Sequence, residues 1–114
     1  MNKEELQSFY NAVFDANEEK VREFITDNVI YLIHGGPLYE GKPGFSQMMK
    51  DMGESGMAQV KIKHLVSDDQ HGAVTGILTL SDQSQMSFCE FLSFSENSKI
   101  ERIESYAAPL EMEE

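Results

Sequence analysis

Leu6, Phe9, Tyr10, Val13 and Phe14 recur at spacings that gather side chains on one face of a helix. Asn2 followed by Glu5 supplies the pair that satisfies free N–H groups at a helix start, a capping box with Asn in place of Ser or Thr. Asn17 is placed to cap a second, shorter helix, with Glu18 and Glu19 at its positive end and Val21, Phe24 and Ile25 facing inward. After Asp27-Asn28 the pattern changes. Residues 29–34, Val-Ile-Tyr-Leu-Ile-His, form an apolar, β-branched run stopped by Gly35-Gly36-Pro37, which predicts a strand. A short extended piece around Leu38-Tyr39-Glu40 follows. Gly41-Lys42-Pro43-Gly44 then opens a third helix, with Pro43 suited to its first turn and Phe45, Met48, Met49 and Met52 as its apolar stripe. Gly53 and Gly56 end it.

The second half predicts a meander of antiparallel strands. Val60, Ile62, His64 and Val66 alternate with Lys61 and Lys63, the period of a half-buried strand. Further strands are expected over residues 73–80, 86–94 and 99–107, with turns at 68–72, 81–85 and 96–98. Ile100 and Ile103 are spaced by three rather than two, which places a β-bulge between them. The order is helix, helix, strand, helix, then four strands. The expected class is α+β: a curved antiparallel sheet wrapped around three helices from the N-terminal half, a cone-shaped barrel whose apolar pocket faces the third helix.

Composition narrows the function. With 114 residues the chain holds one domain, expected over 1–110 with an acidic tail at 111–114. Twenty acidic side chains against nine basic ones give a net charge of −11, which argues against nucleic acid and an anionic membrane as partners. Forty per cent hydrophobic residues, with seven Phe and four Tyr, supply a packed core. The single Cys89 excludes an internal disulfide or a cysteine cluster for zinc, and three scattered histidines lack metal-ligand spacing. The start, MNKEELQ, lacks the apolar stretch of a signal peptide, so a soluble, cytoplasmic domain is expected. No phosphate-binding glycine loop appears, and no cofactor is expected.

Three pieces carry a resemblance: Phe14-Asp15-Ala16-Asn17 at the end of the first helix, the stretch 39–45 (Tyr-Glu-Gly-Lys-Pro-Gly-Phe), and the stretch 94–100 (Phe-Ser-Glu-Asn-Ser-Lys-Ile). Together with the element order they resemble the nuclear transport factor 2-like superfamily, with its SnoaL-like and ketosteroid isomerase-like members and cystatin-like fold. Ser98 stands where the family usually has Gly. Ketosteroid isomerases use a helix-1 Tyr, an Asp base ending the first strand and a protonated Asp on a late strand. Counted from these landmarks, Tyr10, His34 and Glu90 fall at the three places. The resemblance also implies a homodimer, and the Phe91 face of its strand is consistent with one.

The residues carry a physical case of their own. Alternation sets Glu90 with Met86, Phe88, Leu92 and Phe94, and desolvation favours the neutral form of a carboxyl, a hydrogen-bond donor. Pointing into water or a subunit interface is the alternative. A buried Tyr10 needs a partner for its hydroxyl, either Glu90 or an ordinary backbone carbonyl. His34, just before Gly35-Gly36, is a competent base near neutrality, and structural histidines are also common there. Phe14, Met49, Met52, His64, Phe88 and Tyr106 are candidates to contact a small apolar molecule, His64 and the methionines being equally suited to plain packing. The expected function is a cofactor-independent isomerase or cyclase that abstracts a proton next to a carbonyl. The alternatives are a non-catalytic binding module and a dimeric scaffold of the same fold.

Overall fold

The computed structural model describes residues 1–54 and 56–110; the expected acidic tail, 111–114, lies outside the described residues. Helix α1 (Lys3–Phe14) starts with the expected capping box, Asn2 accepting from the Glu5 N–H at 2.8 Å and Glu5 from the Asn2 N–H at 2.9 Å. It buries Leu6, Phe9, Tyr10 and Ala12. Helix α2 (Glu18–Arg22), capped by Asn17, is shorter than its pattern suggested. Ile25 does not face inward from this helix. It opens strand β1 (Ile25–Ile33), which runs through Asp27-Asn28 and pairs Ile25 with Ile100 across an irregular register.

Strand β2 (Leu38–Glu40) folds back on β1 and leads directly into helix α3 (Gly41–Glu54), which buries Phe45 and Met48. The meander follows as β3 (Met57–Ser67), β4 (His71–Leu80), β5 (Gln85–Phe94) and β6 (Ile100–Pro109). The sheet order is β2-β1-β6-β5-β4-β3. Every pairing is antiparallel except β1 with β6, which is parallel, and the sheet is a curved open surface rather than a closed cone. No helix among the described residues is long and apolar enough to cross a membrane.

Bulges bend this sheet and reset which residues face inward. Phe94 pairs with Ile100 but Ser93 with Arg102, so Glu101 is the extra residue that the Ile100–Ile103 spacing signalled. A second one was not anticipated. Ile62 pairs with Gly76 but His64 with Thr75, leaving Lys63 over. One extra residue inverts every later side chain. Leu65 is therefore buried, while His64 and Val66 are exposed, against the simple alternation of the segment.

Two backbone positions make the fold's tolerances measurable. A Cβ on Gly76 would lie 2.6 Å from the Phe88 ring and also overlap the Lys61 carbonyl, so β3, β4 and β5 close up only around a bare Cα here. Ser98 sits at φ +59°, the left-handed region where an L side chain is disfavoured, which explains why Gly suits this turn. Gly76→Ala should destabilise the protein by about 1–3 kcal/mol. Ser98→Gly should leave it unchanged or stabilise it by up to about 1 kcal/mol. Urea unfolding midpoints of the two variants check both signs.

Candidate functional site

The concave face of the sheet does not close onto the helices completely. Between α1, α3 and the strands lies a cavity of about 280 Å³. Phe14 of α1, Met52 of α3, Leu78 of β4 and Phe88 of β5 line its apolar walls. Its polar lining groups are Tyr31, Glu90 and Ser105. Alternation places each of these. On β5 Phe88, Glu90, Leu92 and Phe94 are buried while Cys89 and Phe91 are exposed. Ser105 is the cross-strand neighbour of Glu90 on β6, and Tyr31 shares its face of β1 with Ile33, another lining residue.

Glu90 is the centre of a buried polar cluster. The Tyr10 hydroxyl donates to Oε1 at 2.6 Å, and the Tyr31 hydroxyl donates to Oε2. Ser105, beside Tyr31 on the cavity lining, acts to lower that phenol's pKa against the larger raising effects. The rings are fixed from the side: Phe9 meets Tyr10 edge-on at 5.1 Å between centroids, and Phe45 meets Tyr31 at 5.7 Å. Burial pushes both phenols well above the ordinary tyrosine range, and the negative Glu90 beside them pushes further. The expected company of Glu90 is present, with Tyr31 added to Tyr10. With a hydroxyl pointing at each oxygen, Glu90 is an acceptor on both sides, an arrangement that suits a carboxylate rather than a neutral donor.

His34 does not join this cluster. Its backbone N–H bonds the Ser105 carbonyl at 2.9 Å, but its ring lies on the outer face. There it stacks on Tyr106 at 4.2 Å and bonds Glu104 at 3.0 Å. That contact, followed by Arg102, lowers the carboxyl pKa of Glu104. A base in that place has no access to a molecule held against Glu90. His64 bonds Thr75 at 2.9 Å and, with Tyr106, lines a shallow groove of about 490 Å³ on the same outer face; Phe88 borders both spaces. Met49 lies on the far side of α3, beside Ala16 and Pro43. Glu90, Phe14, Met52 and Phe88 thus line the cavity, Tyr10 stands behind it through its bond to Glu90, and His34, His64, Met49 and Tyr106 do not line it.

Tyr31 and Ser105 are the additions. Val29, Tyr31 and Ile33 alternate within the apolar run, so parity alone sets Tyr31 inward and His34 outward. Ser105 needed the β5–β6 register, which no local pattern specifies. Among the described residues no group of His, Cys, Asp and Glu side chains is arranged to hold a metal ion.

The raised phenols fix a pH dependence. Their stabilising contribution is complete below the unfolded tyrosine value of about 10 and is lost as pH rises above it, because the unfolded chain then releases protons that the folded one keeps. Each such phenol steepens the loss by about 1.4 kcal/mol per pH unit. Spectrophotometric titration should show two of the four tyrosines ionising only as the protein unfolds. Tyr10→Phe and Tyr31→Phe should each lower stability at neutral pH by about 1–3 kcal/mol and flatten the alkaline loss.

A proposed ketosteroid isomerase from Kribbella flavida superposes with a TM-score of 0.82 at 15% identity, over 98% of this chain and 81% of that one. SalBIII, an epoxide hydrolase/cyclase-like enzyme of pyran ring formation in the polyether salinomycin, gives 0.76 at 13% identity, over 93% and 89%. A de novo designed protein with a curved β-sheet gives 0.76 at 17% identity, over 96% and 89%. At these identities the likeness is one of fold, and a fold by itself implies no activity. No curated protein matches the chain in sequence. The SnoaL-like domain model matches residues 6–103, nearly the whole length over which the helices, the sheet and the cavity are built, and the chain belongs to the SnoaL-like family.

Proposed function

We propose that the cavity receives a small, largely apolar carbonyl compound and that the domain acts on it as a cofactor-independent isomerase or cyclase, with Glu90 as the proton-transfer group. One observation carries this: a buried carboxyl, positioned by two phenols, lines a cavity whose walls are mostly apolar. Isomerase- and cyclase-type neighbours of the same fold support it.

The chemistry balances within the cluster. The Glu90 carboxylate takes a proton from the carbon next to the carbonyl, and the C–H electron pair moves onto the carbonyl oxygen as an enolate. The site keeps its single negative charge, now on the ligand oxygen instead of on Glu90. Tyr31, which lines the cavity, can turn its O–H from the neutralised Glu90 to that oxygen, the electrostatic stabilisation that contributes most in such reactions. Glu90 then returns the proton to another carbon, an isomerisation, or the enolate closes on an internal electrophile, a cyclisation.

The test is exchange of α-protons of cyclic and β,γ-unsaturated ketones in deuterium oxide, followed by NMR. The wild-type protein should accelerate exchange. Glu90→Gln, which keeps the shape and removes the base, should slow it by about a hundredfold or more. Glu90→Asp should retain part of it, and His34→Gln should leave it unchanged. Ketone binding without any accelerated exchange would assign the cavity to ligand holding alone.

A further inference from the structure

The cavity pairs a carboxylate with no cation. No Lys, Arg or His is among its lining residues as far as the described residues go, and the partners of Glu90 among them are two neutral phenols. The surrounding walls carry aromatic rings, those of Phe14, Tyr31 and Phe88 among them. From these features we infer that the cavity selects by charge: a protonated amine on a compact apolar body is its favoured ligand class, with the ammonium against Glu90. The inference rests on the assignment of this cavity as the ligand site, but not on turnover.

Three effects act in the same direction. Folding has already stripped Glu90 of most of its water, so a ligand ammonium must lose only its own hydration to gain a close opposite charge in a low-dielectric site. Aromatic faces attract a cation through their quadrupole, most strongly when it is desolvated. The net charge of −11 draws cations toward the molecule and repels anions before contact. A neutral alcohol of equal shape has only hydrogen bonding to offer, and a carboxylate meets Glu90 as a like charge. For a ketone-transforming site, an amine would therefore act as a competitor that occupies the base.

Adamantylamine, adamantanol and adamantanecarboxylate share one rigid hydrocarbon cage and differ in charge. Calorimetric titration of the wild-type protein should rank them amine, alcohol, carboxylate, with the amine tighter than the alcohol by about tenfold or more. Glu90→Gln should erase the advantage of the amine over the alcohol. Leu78→Trp, which fills the cavity, should weaken all three. An amine no tighter than the alcohol in the wild-type protein overturns the inference, whether or not the Glu90 variant folds. So does an advantage that survives in Glu90→Gln or in Leu78→Trp. Ketone exchange persisting without this ranking overturns charge selection alone, whereas the ranking without exchange overturns only the catalytic reading.

Discussion

A carboxyl group buried at the concave face of a sheet is tolerable only if its oxygens are satisfied, and Glu90 obtains both partners from elsewhere in the chain. Tyr10 comes from α1, 80 positions away, and Tyr31 from β1, 59 away. Hydrogen bonds to a charged group contribute about 1.5–3 kcal/mol each, and an unpartnered buried carboxylate costs more than that. The cluster therefore ties the first helix, the first strand and the meander to one point. The two tyrosine rings are held from the side by Phe9 and Phe45, and space stays open beside Glu90.

The rest of the architecture serves that space. Bulges at Lys63 and Glu101 bend the sheet, and the bare Cα of Gly76 lets β3 and the Phe88 ring approach each other. A flat sheet would press its apolar face against the helices and leave no room. The outer face is built differently: His34 stacks on Tyr106 and His71 on Phe91, both rings partly open to solvent. The two faces thus divide the candidate chemistry, with Glu90 inside and all three histidines outside.

Much of this was legible from period and punctuation. Strict alternation from Phe88 to Phe94 placed Glu90 among buried neighbours, and the stripe of α1 turned Tyr10 toward it. What failed did so where a single residue changes parity. Lys63, a polar residue in a regular alternation, carries no mark of a bulge, so His64 was set on the wrong face. Counting from family landmarks sets His34 at the site, whereas the parity of Tyr31 and Ile33 sends it outward. The bond from Tyr31 to Glu90 is equally hidden, since 59 positions separate the two and no local pattern joins β1 to β5.

The central claim is that Glu90 is a carboxylate held by the two phenols, and infrared difference spectroscopy between the wild-type protein and Glu90→Gln at neutral pH addresses it directly. On that claim an antisymmetric carboxylate band, narrowed by its fixed hydrogen bonds and altered again in Tyr31→Phe, should be lost. Loss of a protonated carboxyl C=O band instead would contradict it and restore Glu90 to the role of a neutral hydrogen-bond donor.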